Sequence, residues 1–122
     1  KKIVMGNREE LAWLAGFFDG EGCFFAQKMS GKYYVRAVIG QSGSSELLNR
    51  CQKITGLGYV GGPYQPKYPH GCKPSFRWQL CGFEKTQALV AMLWEWLGSV
   101  KREQAQRVLL LHKKFICVEN VP

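Results

Sequence analysis

Between residues 8 and 19, apolar positions recur at helical spacing. Leu11, Leu14, Ala15 and Phe18 stand at i, i+3, i+4 and i+7 and make one face. Trp13 and Phe17 fill a second arc, and Ala12, Gly16 and Gly20 form a stripe of small residues four apart. A helix so apolar on every side is expected to be buried on both sides. The small stripe lets another helix bring its backbone close, against a helix-propensity cost of about 1 kcal/mol for an interior glycine.

After Gly22 the period changes to two. Residues 23–29 read as a strand, Ser30-Gly31 as a turn, and 32–39 as the antiparallel partner. In the second strand Tyr33, Val35, Ala37 and Ile39 share an apolar face, while Lys32, Tyr34, Arg36 and Val38 point the other way. Gln41-Ser42-Gly43 breaks the pattern, and Ser42 or Gly43 can cap a helix over 44–54 with Glu46 in its first turn. Gly56 and Gly58 end that helix.

Residues 59–68 form a second strand region interrupted by Gly61, Gly62, Pro63 and Pro66, which confines it to an edge or a bulge. Its partner places Phe76, Trp78 and Leu80 toward a core and Ser75, Arg77 and Gln79 outward, with Pro69-His70-Gly71 in the connection. An apolar helix over 84–97 follows. Gly98-Ser99 breaks it, and 101–117 forms a last amphipathic helix through Ala105, Val108, Leu109, His112 and Ile116. The order is helix, two strands, helix, two strands, two helices: an α+β domain spanning residues 1–122.

A chain of 122 residues with 46% hydrophobic content fits one domain with a modest core. Its net charge is +8, distributed unevenly. From Gly22 to Phe83 the bases are Lys28, Lys32, Arg36, Arg50, Lys53, Lys67, Lys73 and Arg77, and the only acid is Glu46. Such a surface calls for a polyanion as partner. No basic amphipathic helix carries these charges, and no transmembrane run or signal peptide is present, so no membrane partner is expected and the protein is expected to be intracellular. Five scattered cysteines without a CxxC pair read as reduced thiols. The chain starts at Lys1, as a processed chain or a segment of a longer one would.

The first helix runs directly into two carboxylates, Asp19 and Glu21, separated by Gly20. Acids are disfavoured at the negative end of a helix dipole, and a cation would relieve them. Carboxylate and backbone oxygens at such a tip suit a hard ion such as Mg²⁺, which combines one or two carboxylates with water and phosphate oxygens.

The stretch Leu14-Ala15-Gly16-Phe17-Phe18-Asp19-Gly20-Glu21-Gly22 resembles the signature of the LAGLIDADG homing endonucleases, with Glu21 at the second acidic position. The resemblance, to the single-motif, homodimeric type, covers most of the chain. It implies an αββαββα half-site fold whose two hairpins form a curved four-stranded antiparallel sheet lying in the major groove of double-stranded DNA. A two-stranded ribbon fits that groove. On the alternation above, Gln27, Lys32, Tyr34, Arg36, Gln65, Lys67, Ser75, Arg77 and Gln79 are the expected DNA-facing set, with Arg36 and Arg77 the best guanine readers.

One motif supplies one metal-binding acid, whereas both strands of a duplex must be cut, so a homodimer is expected. In the family the motif helices pair at the small stripe. Here that assigns Ala12, Gly16, Asp19 and Gly20 to the interface and sets both copies of Glu21 at the base of a shared cleft. The implied cofactor is Mg²⁺, with Mn²⁺ or Ca²⁺ able to substitute in binding, held by Glu21 and the Gly20 carbonyl. The resemblance assigns Gln41 to organising solvent near the nucleophile and Lys101 to acting on water or phosphate. Lys101 at a helix start also suits a nearby anion, because the dipole disfavours a cation there. Ser45 departs from close relatives, which often carry a base at that position. The implied activity is Mg²⁺-dependent site-specific double-strand cleavage of a long pseudo-palindromic site, leaving short 3′ overhangs, in an organelle matrix or prokaryotic cytoplasm. The same fold also serves intron RNA maturases and non-cleaving DNA-binding modules, and Tyr34 and Tyr64 on a basic sheet would suit RNA.

Overall fold

Asn7 starts the first helix. Its side chain accepts the Glu10 N–H at 2.8 Å while the Glu10 carboxylate accepts the Asn7 N–H at 3.3 Å. This reciprocal cap satisfies two of the donors that a helix start leaves free. The computed structural model describes residues 7–65 and 73–120, with side chains as far as His112. The elements are α1 (Arg8–Glu21), β1 (Gly22–Met29), β2 (Lys32–Ser42), α2 (Glu46–Thr55), β3 (Tyr59–Tyr64), β4 (Ser75–Cys81), α3 (Phe83–Leu93), a 3₁₀ turn (Trp94–Trp96) and α4 (Ser99–Asn120).

The strands form one antiparallel sheet in the order β1-β2-β4-β3. Each hairpin therefore contributes one central and one edge strand. Ser30 and Gly31, at φ of 53° and 81°, close the β1–β2 hairpin between Met29 and Lys32. Positive φ at both turn positions matches the right-handed twist of the strands. On the other edge, β3 changes register between Gly61 and Tyr64, as its glycines and proline foretold. The strand expected over 59–68 ends at Tyr64, Gln65 lies beyond it, and residues 66–68 lie outside the described residues.

The core lies on one side of the sheet. Phe24, Val35, Ala37, Ile39, Trp78 and Leu80 meet Leu14, Ala15 and Phe18 of α1, Leu48, Cys51 and Ile54 of α2, and Leu89, Leu93, Ala105 and Val108 of the last two helices. Trp78 is fully buried, and its indole N–H donates to the Leu57 carbonyl at 3.0 Å, which offsets the desolvation of its polar atom. Gly58 makes this approach possible. A Cβ there would lie 2.5 Å from the Gln79 carbonyl oxygen and 2.9 Å from the indole nitrogen, and its φ is +77°.

Several boundaries differ from the sequence reading. α1 extends through Glu21. β2 continues through Gln41 to Ser42 because it pairs with β4 over that stretch. α2 begins at Glu46, whose N–H is held by the Ser44 hydroxyl at 3.1 Å, so neither Ser42 nor Gly43 is the cap. The helix expected over 84–97 ends at Leu93 and tightens into the 3₁₀ turn.

Candidate functional site

Glu21 is the last residue of α1 and is exposed, whereas Gly22 immediately after it is buried. The buried glycine has a steric cause. A Cβ at Gly22 would stand 2.5 Å from the Phe18 ring, which itself packs against Phe24 with centroids 4.5 Å apart. The helix can therefore turn into β1 over the Phe18 ring only without a side chain at 22, and that turn carries Glu21 out of the core.

Two backbone N–H groups tie the junction to α4 and the turn before it. The Asp19 carboxylate accepts the Gly98 N–H at 3.0 Å through each oxygen, and the Phe24 N–H donates to Gln104 Oε1 at 2.8 Å. Asp19 is thus committed to the turn before α4. Gln104 has no counterpart in the sequence reading: a glutamine on an amphipathic helix gives no sign that it holds a backbone amide 80 residues away.

Beside Glu21 lies an open cavity of about 450 Å³, bounded by Gly40, Gln41 and Ser42 of β2 and by Ser75, Phe76 and Arg77 of β4. Glu21 and Gln41, distant in sequence, therefore share one recess. The Gln41 amide donates to the Gly40 carbonyl at 3.0 Å. Lys101 does not line this cavity; it stands partly buried in the first turn of α4.

The sheet face away from the helices carries Gln27 opposite Tyr34, Lys32 opposite Met29, and Ser75 and Arg77 on β4. Arg36 shares that face, flanked by Phe25 and Cys81. None of the four strands contains an acid. Gln65, just beyond β3, is exposed, and Lys67 lies outside the described residues. Gln79 departs from its expected role as an outward reader. It is only 6% exposed because Tyr59, directly across from it, covers it and accepts its amide N–H at 3.1 Å. The sequence reading also missed Phe25 and Tyr59, whose faces become apparent only with the register.

The small stripe is open. A Cβ added at Gly16 or Gly20 would meet nothing within 4 Å among the described residues, and Ala12 is half-buried. Among the described residues no group of three or more His, Cys, Asp or Glu side chains could hold a metal ion. Among the described residues, no helix is long and apolar enough to cross a membrane.

No protein-family model and no curated protein matches the chain. Solved structures do. The homing endonuclease I-CvuI, in complex with an uncleaved DNA target in the presence of 2 mM Mg, is 28% identical with a TM-score of 0.75, over 93% of this chain and 74% of that one. The same enzyme with its target and 2 mM Ca gives a TM-score of 0.74 at 28% identity. The LAGLIDADG meganuclease I-AabMI bound to uncleaved DNA shares the fold at 21% identity, with a TM-score of 0.68, this chain spanning 38% of its length.

Proposed function

We propose that this member of the LAGLIDADG homing endonuclease family is a site-specific endonuclease that cuts both strands of DNA as a homodimer, on a long pseudo-palindromic site, leaving short 3′ overhangs. The observation that carries the reading is the setting of Glu21: it is the one carboxylate among the described residues lining a recess at the margin of a sheet face whose strands contain no acid. The charge of that face supports a phosphate backbone as ligand, and its alternating polar side chains suit successive base edges. Gln27, Lys32, Tyr34, Arg36, Gln65 and Ser75 are the proposed contact set, with Arg36 the guanine reader.

The donor set fits a hard cation that shares its ligands with phosphate. Glu21 would supply a carboxylate and the Gly20 carbonyl a backbone oxygen, and the described residues of a single chain offer no closed cage. Mg²⁺ bound there would lower the pKa of an attacking water and stabilise charge on the phosphoryl group and the leaving oxygen. The residues of the chain do the rest. Gln41 orients solvent in the recess, and Lys101 acts on phosphate charge from the start of α4, a helix held against the α1–β1 junction by the Asp19–Gly98 and Phe24–Gln104 bonds. Pairing of two chains along Ala12, Gly16 and Gly20 would bring both Glu21 tips together, one for each strand. The experiment is a mixed dimer of wild-type and Glu21→Gln subunits. It should nick one strand of a symmetric site, and full double-strand cleavage by the mixed dimer would refute one acid per strand.

A further inference from the structure

Arg77 occupies a singular place on the sheet. It lies in register between Gly40 of β2 and Gly61 of β3, so neither cross-strand neighbour on its face has a side chain. Directly opposed residues normally stand about 5 Å apart and hold each other upright from the sheet. Arg77 lacks that support on both sides and can lie along the surface. The two sides then differ. Over Gly61 the space is taken by Tyr64, whose hydroxyl is the nearest atom to a Cβ built there and whose ring centroid is 5.4 Å from the Arg77 guanidinium carbon. Over Gly40 a Cβ would meet nothing nearer than the Phe76 carbonyl oxygen at 3.8 Å, and Gly40 borders the cavity that Glu21 lines.

From this arrangement we infer that Arg77 is a catalytic residue of the strand cleavage, holding a non-bridging oxygen of the phosphate next to Glu21 rather than reading a base edge. The inference rests on the nuclease reading above. Tyr64 holds the guanidinium on the Gly61 side, and Arg77 still lines the recess, where it is the one cation and Glu21 the one carboxylate among the described lining residues. The two do not pair with each other. A cation and an acid that share a recess without neutralising one another leave space for a third group, and a planar guanidinium matches phosphate oxygens through paired donors.

In hydrolysis the water oxygen bonds to phosphorus and the P–O3′ bond breaks with its electron pair on O3′. One water proton passes through solvent to O3′, and the 5′-phosphate keeps the new oxygen. Negative charge on the non-bridging oxygens peaks between these events, and a preorganised donor there acts on the transition state more than on the bound substrate.

The test uses the full chain and a duplex that the wild type cuts. Arg77→Ala should lower the single-turnover rate at saturating protein by about 10² to 10³ fold, leave DNA affinity within about tenfold, and leave base preference unchanged. Arg77→Lys should recover at least about tenfold of the lost rate, since it restores the charge without the paired donors. A wild-type rate in Arg77→Ala would overturn the inference, as would an altered preference at one base pair of each half-site or a loss of binding as large as the loss of rate. In those cases the nuclease reading would stand. A wild-type chain that cuts no duplex would overturn both.

Discussion

The Asp19 carboxylate accepts the Gly98 backbone N–H through both of its oxygens at 3.0 Å, tying the end of α1 to the start of α4. The first acid of the motif is therefore spent on architecture, while the second, Glu21, faces the cavity. Asp19 is part-exposed, so the bond is worth less than a buried charged one. Asp19→Ala should destabilise the protein by about 1 kcal/mol, lowering Tm by about 4 °C. Asp19→Asn, which keeps one acceptor, should fall between. Thermal unfolding of the three proteins measures this, and an unchanged Tm in Asp19→Ala would remove the tie from the structural scheme.

Glu21→Gln should abolish cleavage while changing DNA affinity by no more than about tenfold, because the sheet supplies most of the contacts. Glu21 makes no hydrogen bond or ion pair within the described residues, so the change should leave Tm within about 1 °C. Titration of a labelled duplex beside a cleavage time course checks the division. Equal losses of binding and cleavage would contradict it.

Gly16→Leu separates the dimer from the fold. A Cβ added there meets nothing within 4 Å among the described residues, and the change gains helix propensity of up to about 1 kcal/mol, so the isolated subunit should be at least as stable as the wild type. The dimer should be lost, because the leucine holds the two helices apart. Light scattering at a concentration where the wild type is dimeric decides the matter, and a dimeric variant would place the interface elsewhere.

Cys51 is fully buried, and desolvation pushes its thiol up to about 12 from an ordinary value of 9.0. At pH 8 an alkylating reagent should therefore modify the exposed Cys23 and Cys81 well before Cys51. The pH dependence has a definite sign. The unfolded thiol ionises above about pH 9 and the folded one does not, so Cys51's contribution to stability is complete below pH 9 and declines as pH rises toward 12. The slope is at most about 1.4 kcal/mol per pH unit. Denaturant unfolding of wild type and Cys51→Ala at pH 8 and 10.5 checks it, since the variant should lose less stability between the two pH values. A greater loss in the variant would contradict the assignment.

Local features of this fold were the legible ones. The period-two pattern of β2 placed Val35, Ala37 and Ile39 in the core and Tyr34 and Arg36 on the opposite face, and the glycines and proline of β3 identified an edge strand. The motif helix was legible from its stripes and its two acids. What stayed hidden depends on how distant segments meet. Gln79 read as an outward polar residue because alternation gives a face but not its cover, and Tyr59 covers it only once β3 pairs with β4. Gln104 and Gly98 acquire roles through single bonds to the α1–β1 junction, which no local pattern encodes. The setting of Arg77 needs both neighbouring strands at once, because Gly40 and Gly61 flank it only after the two hairpins have joined. The stripe of Ala12, Gly16 and Gly20 marked where another helix could approach, and among the described residues nothing lies within 4 Å of a Cβ at Gly16 or Gly20.

Selection of cleaved molecules from a random duplex library, with and without Mg²⁺, tests most directly whether paired Glu21 tips cut DNA. The expected result is a set of cut sites with twofold sequence symmetry, obtained only when Mg²⁺ is present. Cleavage at sites without that symmetry, equal cleavage without the metal, or bound duplexes that are never cut would contradict it.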